Sequence, residues 1–407
     1  MPKVIHVIRK FEPAEWGGTE TFLVNLVREL APLGWMSEVH APLEPGTDGT
    51  ELERAGATFR TFRASYPVLG LDAEGRKRLV ASGGNLVTPG ELWRLTVDRR
   101  ASLFHVHTTR RLGGVVRWAA RRSGRPYAVT LHGPTRSGAA PGQAASFAGR
   151  GVDVGAPFGL LVGARRVVPD ADLVFVLNPE ERQAWEQDRR GRHLELVPHG
   201  VQTARSSREA RDEARASVPG LGGAPFLVVL GRLDPMKGQD VAVRAFQLAP
   251  PAGRHLVLAG SETDAPFARA VRDLASSTPG LVHVIGGVTP RLARAFLAEA
   301  EIALVPSRAE AFGLVLLEAW AEGAPALFSS ASGLKGIADA CGAGRLLVDS
   351  LEPAEWSARL SAAVADPDLL ASERAEAPGR VAERFSWRRV AERVAGAYEQ
   401  ALRGRES

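Results

Sequence analysis

The sequence predicts an α/β protein built from two Rossmann-like domains. Short apolar runs alternate with amphipathic helical patterns along most of the chain, which is typical of parallel sheets covered by helices. Glycine-containing turns join several of these strands to the helix that follows, as in folds that bind ligands at the carboxyl edge of the sheet. The length of 407 residues exceeds what one hydrophobic core usually supports, so we expect two domains.

The composition is that of a globular protein. Apolar residues make up 45% and charged residues 24%, and no apolar run approaches the roughly 20 residues that cross a bilayer. The first ten residues predict a strand rather than a signal peptide, because their apolar part is short and charges follow it. Cys341 is the single cysteine, which excludes an internal disulfide and a cysteine cluster for zinc and favours a reducing cytoplasm.

The basic excess is confined to the first half of the chain. Residues 1–200 contain 27 Lys and Arg against 21 Asp and Glu, whereas the whole chain contains 51 against 46. This asymmetry favours anionic partners such as lipid headgroups or a phosphate-bearing acceptor. Nucleic acid is disfavoured, because no basic stripe interleaved with aromatic residues occurs. An Arg-rich, solvated surface explains the same excess.

The first domain begins with a Rossmann-like unit. Residues 3–8 predict a strand, residues 9–16 a loop, residues 17–30 a glycine-led amphipathic helix, and residues 37–40 a second strand. The two glycines that lead the helix are not the dinucleotide fingerprint, because its later glycines are missing. They either make a tight turn or let a phosphate or an acceptor approach the backbone.

Two later strands each deliver a histidine at the carboxyl end. Residues 103–107 end in His107, and residues 126–132 end in His132. Because the carboxyl ends of parallel strands meet at one edge, we expect both side chains to point toward one crevice. Taken alone, each is more often a hydrogen-bonded core histidine. Neither has the Cys or His neighbours expected of a metal site, so no metal ion is predicted there.

The remainder of the first domain is less regular. We expect a turn-rich insertion at 82–86, helices at 92–95 and 113–122, a long loop at 134–158, and then a strand, a helix and a strand at 172–177, 180–187 and 194–201. A polar tract at 202–223 contains the domain boundary, and we predict domains at 1–203 and 204–385.

The second domain begins with an apolar strand at 226–230. The turn that follows carries Arg232 and Lys237, two cations five residues apart. A nucleotide diphosphate leaving group gains negative charge as a sugar departs, and preplaced cations stabilise it by several kcal/mol. Arg can bind a phosphate with two parallel hydrogen bonds and Lys adds a point charge. Without context, a solvated basic turn is the commoner explanation.

The second domain continues as alternating strands and helices. The predicted elements are helices at 240–246, 267–276, 292–301 and 353–364, strands at 255–260, 281–286, 326–329 and 346–348, and a last helix from an N-cap at Ser386 to about Leu402.

A strand, loop and helix at 302–325 organise the second half of the chain. A polar turn follows the strand end, and a helix that a Gly and a Pro terminate comes next. Free N–H groups at the helix start favour a phosphate, and Gly313 lets an anion approach the backbone. Glu310 lies on the turn and Glu318 within the helix. Two solvated carboxylates on a surface helix would give the same pattern.

Glu310 and Glu318, separated by seven residues, resemble the signature of retaining glycosyltransferases of sequence family four, which have the GT-B fold. The turn at 231–238, with its Gly-Arg-Leu and Lys-Gly, is similar to a second motif of that family. The His-Gly at 132–133 and the Phe-Ser-Trp at 385–387 resemble the family too. The likeness covers nearly the whole chain.

The resemblance implies a GT-B fold, with two Rossmann-like domains facing a central cleft and a terminal helix, at 386–403, crossing back onto the first. It implies a hexosyltransferase that moves a sugar from a nucleotide-diphosphate sugar, UDP- or GDP-linked, to an acceptor hydroxyl with retention. The implied setting is polysaccharide, glycolipid or other glycoconjugate biosynthesis in a bacterial cytoplasm, with possible contact to the inner face of an anionic membrane. The sequence departs from the family at His199, where the family has Asn, in a segment that mainly ends the first domain.

The resemblance also implies roles for residues at matching positions. Catalysis is assigned to Glu310, His132, Arg232 and Lys237. Donor binding is assigned to Gly18, Arg232, Lys237, Gly286, Phe312, Gly313, Leu314 and Glu318. The acceptor side is assigned to His107 and Thr19. Within these sets, Glu318 contacts the ribose and Glu310 the sugar. No metal ion and no further cofactor is expected, and the acceptor is a glycan, a lipid-linked molecule or a small molecule.

Three alternatives stay open at this point. A related GT-B enzyme could act on a sugar phosphate as a phosphorylase, or convert a nucleotide sugar as an epimerase. The protein could also be a non-catalytic partner that binds nucleotide sugars. A dinucleotide oxidoreductase is least favoured, because no full fingerprint follows Ile8 or Leu230.

Overall fold

A computed structural model describes residues 1–13, 17–70, 86–132, 152–177, 179–186, 193–310 and 312–406. The chain forms two compact units. The first comprises Met1–Gly200 together with Trp387–Ser407, and the second comprises Val201–Ser386. The predicted boundary, between residues 203 and 204, lies three residues from this division.

Parallel strands form the central sheet of the first unit. The strands of this unit are β1 (Lys3–Val7), β2 (Met36–Pro42), β3 (Thr58–Phe62), β4 (Val68–Leu69), β5 (Leu103–Val106), β6 (Tyr127–Thr130), β7 (Val152–Asp153), β8 (Leu173–Val176) and β9 (His193–Leu196). Within the described residues the sheet order is β3-β2-β1-β5-β6-β8-β9, and β4 pairs with β7 in a separate antiparallel ribbon. This order reverses direction between β1 and β5, the switch point of a doubly wound sheet.

Helices cover both faces of that sheet. They are α1 (Gly18–Leu30), α2 (Thr50–Arg54), α3 (Pro89–Val97), α4 (Arg111–Ser123), α5 (Ala156–Leu161), α6 (Pro179–Glu186) and α15 (Trp387–Glu406), the last helix of the chain. The central strands are fully buried, as expected for a parallel sheet between two helical layers. One side of the core contains Phe22, Phe175 and Tyr398, so α15 packs with α1 in the first unit.

The second unit repeats the architecture. Its strands are β10 (Phe226–Leu230), β11 (His255–Ala259), β12 (Val282–Ile285), β13 (Ile302–Val305), β14 (Ala326–Ser329) and β15 (Leu347–Val348). Its helices are α7 (Arg208–Ala216), α8 (Gln239–Leu248), α9 (Ala265–Ser276), α10 (Pro290–Glu299), α11 (Leu314–Glu322), α12 (Ser332–Cys341), α13 (Pro353–Val364) and α14 (Pro367–Phe385). Over the part of the chain that is described, the parallel order is β12-β11-β10-β13-β14-β15, with its switch point between β10 and β13.

Several elements differ from the sequence prediction. The region expected to be irregular before residue 100 contains β3, and the polar tract expected to be a boundary contains α7, which Ser207 caps through the N–H of Ala210. Neither α12 nor α14 was predicted. The predicted insertion at 82–86 and loop at 134–158 fall mostly outside the described residues. Among the residues that are described, no helix combines the length and apolarity needed to cross a membrane.

Candidate functional site

The switch point of the second unit brings two predicted site residues together. Strands β10 and β13 are neighbours, so the loops that leave their carboxyl ends lie side by side. Lys237, in a 3-10 turn after β10, places its Nζ 2.5 Å from Oε1 of Glu310, on the loop after β13. Both side chains are mostly buried, at 21% and 11% exposure. The pair therefore has a fixed geometry rather than that of a loose surface salt bridge.

Glu310 is also held from the strand side. The hydroxyl of Ser307 donates to the same Oε1 at 3.0 Å. The carbonyl of Ser307 in turn accepts from the hydroxyl of Ser329, at the end of β14, at 2.6 Å. The main chain of Glu310 accepts from the N–H of Gly333 at 3.1 Å. Neither serine was predicted as a site residue, because Ser307 belongs to no recognised motif and the bond from Ser329 forms only between neighbouring strands.

The two loops are clamped to each other through the residues around Lys237. The Arg308 N–H donates to the Met236 carbonyl at 2.8 Å, and its guanidinium makes two bonds to Asp240, at 2.9 and 2.7 Å. Gly238 has φ of +68°, and a Cβ there would lie 2.0 Å from the carbonyl oxygen of Pro306. Glycine is therefore required after Lys237, because only a residue without a Cβ lets the backbone of position 238 lie this close to the Pro306 carbonyl.

Arg232 occupies the start of the same turn. Its side chain is exposed. Over the described ranges, the guanidinium makes no hydrogen bond or ion pair. The main chain beneath it is fixed, because the buried Gln239 donates from Nε2 to the carbonyls of Gly231 and Arg232, at 3.3 and 2.8 Å. A positioned loop therefore presents an unneutralised cation a few residues from Lys237.

Helix α11 begins at the loop that carries Glu310. Gly313 precedes it with φ of +98°, and a Cβ there would lie 2.5 Å from Cδ2 of Leu334. No side chain caps this helix, and the N–H groups of Leu314 and Val315 have no acceptor within the helix. Such a start is suited to an anion. Phe312 is buried against the edge of the Phe385 ring, at 6.2 Å between centroids.

Glu318 lies one turn into α11. Burial raises the pKa of Glu318 to about 7, while Arg294 lowers it and Glu322 raises it. Glu322 is fully buried and bonded to Arg294 at 2.5 Å and to the N–H and hydroxyl of Ser206. Glu318 is half-buried, and the charge of the neighbouring Arg294 is already neutralised by Glu322. The pKa of Glu318 therefore lies close to neutral pH.

Gly286 follows β12 on the same edge of the sheet. Its carbonyl accepts from the N–H of Gly260 at 3.1 Å. Gly286 is exposed, and a Cβ there would meet open space. Its main chain is therefore accessible to a planar ligand.

The switch point of the first unit carries histidines. Strand β1 pairs with β5 so that His6 lies opposite His105, and His107 follows two residues later on the same face. The rings of His6, His105 and His107 are buried, and His132 at the end of β6 is half-buried. The expectation that His107 and His132 lack histidine neighbours was wrong. The reason is register: alternate residues of adjacent parallel strands share a face.

Hydrogen bonds connect these rings. His107 Nδ1 lies 3.0 Å from His132 Nε2, and His107 Nε2 lies 3.3 Å from His6 Nδ1. His105 is bonded at Nδ1 to the Tyr398 hydroxyl, at 2.5 Å, and at Nε2 to the Thr130 hydroxyl, at 2.7 Å. His107, which the resemblance assigns to the acceptor side, therefore contacts His132, which it assigns to catalysis, directly.

Three of the histidines are close enough to be tested as a metal site. His6, His105 and His107 can each offer a ring nitrogen within 4.8 Å of the others. Both nitrogens of His105 and both of His107 already hold hydrogen-bond partners. A metal ion would have to break those bonds in a closed core, so the cluster fits hydrogen bonding better than coordination.

The glycine-led helix α1 places the remaining predicted residues. Gly18 is exposed and Thr19 half-buried in its first turn. The carboxylate of Glu20 accepts from the N–H of Gly17 at 3.1 Å, which caps the turn. On the other side of the helix, the ring of Phe22 packs against the ring of His132, with 5.3 Å between the ring centroids. The helix therefore fixes one wall around His132.

Comparison with known proteins gives a consistent result. Residues 210–382 match the family model of glycosyl transferases group 1, and residues 17–200 match a glycosyl transferase 4-like domain. A D-inositol 3-phosphate glycosyltransferase of Rhodococcus opacus is 33% identical over 315 residues, 73% of this chain and 67% of that protein. A D-inositol 3-phosphate glycosyltransferase of Thermobispora bispora is 29% identical over 416 residues, covering 95% and 90%.

Solved structures agree at the level of fold. Anabaena Alr3699/HepE in complex with UDP superposes with a TM-score of 0.74 at 17% identity, covering 98% of this chain and all of that one. The predicted GT-B fold is confirmed by such matches, together with the two parallel α/β units. The predicted family is confirmed by the sequence matches: this chain belongs to the glycosyl transferases of group 1.

Proposed function

We propose that this protein is a retaining glycosyltransferase that moves a hexose from a nucleotide-diphosphate sugar to an acceptor hydroxyl. The observation that supports this most is the Lys237–Glu310 pair at the switch point of the second unit. It combines a fixed cation for a leaving diphosphate with a fixed carboxylate for sugar hydroxyls. Electrostatic preorganisation of this kind is usually the largest contribution to catalysis.

The chemistry we assign to each group follows from its hydrogen-bonding capacity. A lysine ammonium has three N–H donors, and Glu310 uses one, which leaves two for phosphate oxygens. Arg232 adds a guanidinium that holds no partner elsewhere in the described chain. The amides of Gly313 and Leu314 would complete the diphosphate site at the start of α11. Glu310 would accept from the sugar, and Glu318 from the ribose.

Solved structures of similar fold also support a nucleotide sugar as the donor substrate. HepE has been solved with UDP and with UDP-glucose. We propose a UDP- or GDP-sugar as co-substrate, with the exposed main chain at Gly286 beside the base. Gly18 would approach the donor phosphates, and His132 would contact the sugar or its phosphate. No metal ion is assigned a role.

The acceptor we propose is anionic and binds on the first unit. A cavity of about 850 Å³ in that unit is lined by Arg110 and Arg165 and by the ion pair of the buried Arg111 with the exposed Asp153. Both Arg110 and Arg165 are exposed, and neither has a side-chain partner within the described segments. The sequence relatives are named D-inositol 3-phosphate glycosyltransferases, and an inositol phosphate is an anionic molecule of this kind. Thr19 is a further acceptor-side candidate.

Turnover measurements test the proposed reaction. The protein is incubated with UDP- and GDP-sugars and with inositol phosphates or phosphate-free polyols, and nucleotide release is followed together with the anomeric proton of the product. We expect transfer with retained configuration and an approximately 100- to 1,000-fold lower kcat for Lys237→Ala. An inverted product would contradict the proposal. Formation of a sugar 1-phosphate from inorganic phosphate would favour a phosphorylase, and a free epimer an epimerase.

We also propose that the protein works in the cytoplasm and contacts the inner face of an anionic membrane. The support is the basic excess of residues 1–200. Sedimentation with vesicles that contain or lack anionic lipid, at low and high salt, measures this contact. Binding that is indifferent to both lipid charge and salt would refute it.

A further inference from the structure

Three imidazoles of the first unit form one hydrogen-bonded chain. His107 stands in the middle and uses both ring nitrogens, Nε2 to His6 at 3.3 Å and Nδ1 to His132 at 3.0 Å. His6 comes from β1, His107 from the end of β5 and His132 from the end of β6, so adjacent strands fix the spacing. The chain runs from the buried sheet centre to the half-buried His132 at the carboxyl edge.

All three rings are neutral at ordinary pH. Burial lowers the pKa of His6 to about 3. Burial, followed by the neighbouring histidines, lowers the pKa of His107 well below its usual value. Burial, followed by His199 and Arg9, does the same for His132. A neutral imidazole carries one N–H and one lone pair, so each ring donates at one nitrogen and accepts at the other.

The hydrogen bonds that link the three imidazoles can therefore run in either of two donor-to-acceptor directions. In one, His6 Nδ1–H donates to His107, and His107 Nδ1–H donates to His132 Nε2, so that His132 carries its proton on Nδ1. In the other, every bond is reversed, and His132 Nδ1 is a bare lone pair. The tautomer of His132 is therefore tied to that of His107.

The two ends of the chain distinguish the directions. His6 Nε2 and His132 Nδ1 are buried and have no hydrogen-bond partner among the described residues. Each direction leaves an N–H at one end. An N–H left unpaired in the core at His6 is a permanent cost, whereas one at His132 is relieved when a ligand oxygen accepts it. The first direction is the less costly one.

We infer that His107 is a positioning residue that fixes His132 as the Nδ1–H tautomer, so that His132 offers a hydrogen-bond donor, and not a base, to an oxygen of the bound sugar nucleotide. The role of His132 toward the ligand rests on the proposed function. The hydrogen-bonded chain itself does not, and it can be measured in the free protein.

The direct test is a two-bond ¹H–¹⁵N correlation spectrum of the full protein with ¹⁵N-labelled histidine. The spectrum shows which ring nitrogen of each histidine carries the proton, and a His132→Gln spectrum assigns the signal. The inference requires His132 to be protonated on Nδ1 and bare on Nε2. The opposite tautomer in the wild-type protein overturns it, whatever the activity of any variant.

Two variants separate positioning from packing. His107→Phe keeps a ring and removes both bonds, so the His132 signal is expected to change to a mixture of tautomers. His107→Asn keeps an amide N–H that can donate to His132 Nε2, so the wild-type tautomer is expected to return. Tyr398→Phe is the matched control, since it removes a buried hydrogen bond to His105, which is not one of the three hydrogen-bonded histidines. A His132 tautomer unchanged in His107→Phe contradicts the inference.

Turnover supplies the second readout. We expect His107→Phe to lower kcat by about tenfold, comparable to the loss of one hydrogen bond, His107→Asn to recover part of that loss, and Tyr398→Phe to stay near wild type. Equal losses in all three variants would indicate a packing role and contradict positioning. If the wild-type protein transfers no sugar, the proposed function fails, while the tautomer measurement still decides whether the chain has the inferred direction.

Discussion

At the residue scale, the sequence predicted which side chains to propose for the chemistry, but not the residues that hold them in place. Arg232, Lys237 and Glu310 were expected from a family likeness, and the second of these does contact the third. Gln239 and Ser307, which hold the turn and the carboxylate, were not expected. Gln and Ser occur everywhere in sequences. The partners of these two side chains lie within eight residues along the chain, but no sequence pattern indicates that the loops fold so as to bring them into contact.

The ribose contact proposed for Glu318 predicts that nucleotide binding depends on pH. Its pKa of about 7 means that the carboxylate, which would accept from the ribose hydroxyls, is only partly formed at neutral pH. Affinity for UDP or GDP should rise as the pH rises through 7, by up to about tenfold between pH 6 and 8. Calorimetric titration of wild type and Glu318→Gln measures this. The phosphate titrates in both, so equal pH profiles would contradict the assignment.

His40 makes the first unit sensitive to high pH. Burial would lower the pKa of His40, but hydrogen bonds to Glu38, at 2.8 Å, and to the fully buried Glu91 raise it above 6.5. A raised histidine pKa contributes stability below about pH 6.5 that is lost as the pH rises through the folded value. Thermal unfolding between pH 6 and 9 should show this loss in wild type and a flatter profile in His40→Gln. Parallel profiles would refute it.

At the element scale, the site is made by two loops that pack on each other. The strands and helices that lead into these loops were predicted within a few residues, because apolar runs and terminating glycines mark them. The missed elements lack those signals. Strand β3 (Thr58–Phe62) contains polar and charged residues, and α12 (Ser332–Cys341) contains two glycines where sequence rules expect a turn. Their neighbours in the fold, rather than local propensity, determine them.

A matched pair of glycines tests the contact between the loops. Gly238→Ala and Gly342→Ala both place a side chain at positive φ, +68° and +61°. A Cβ at 342 meets open space, whereas one at 238 lies 2.0 Å from the Pro306 carbonyl oxygen. We expect Gly342→Ala to cost about 1–2 kcal/mol and Gly238→Ala at least about 1 kcal/mol more. Urea unfolding measures both, and equal losses would contradict the close approach.

At the scale of the whole molecule, the chain returns to its first unit through α15. The sequence suggested this only through the family likeness, since nothing in an amphipathic helix says which domain it covers. In the structure, Trp387 packs edge-on against Phe22 at 5.8 Å, and Val394 and Tyr398 are fully buried with it. The hydrophobic core of the first unit is therefore completed by α15, which begins nearly 190 residues after Gly200, the last residue of the unit's main segment.

Two tryptophans report on the two units separately. Trp387 belongs to the core of the first unit and Trp356 to that of the second, and both are nearly fully buried. Truncation of each to Ala should cost about 3–5 kcal/mol. Hydrogen–deuterium exchange should then rise in α1 (Gly18–Leu30) for Trp387→Ala and in α8 (Gln239–Leu248) for Trp356→Ala. Faster exchange in α8 for Trp387→Ala, with α1 unchanged, would contradict this division.

We propose that the turn after β10 and the loop after β13 together bind the diphosphate of a sugar nucleotide. A thermal-shift screen of nucleoside diphosphates and nucleotide sugars, on wild type, Lys237→Ala and Arg244→Ala, tests it most directly. Arg244 is an exposed cation of the same unit and serves as the control. A ligand at 100 times its dissociation constant stabilises the fold by about 2.7 kcal/mol. We expect one nucleotide class to shift wild type and Arg244→Ala equally and Lys237→Ala little. A full shift in Lys237→Ala, or none in wild type with any nucleotide, would contradict the account.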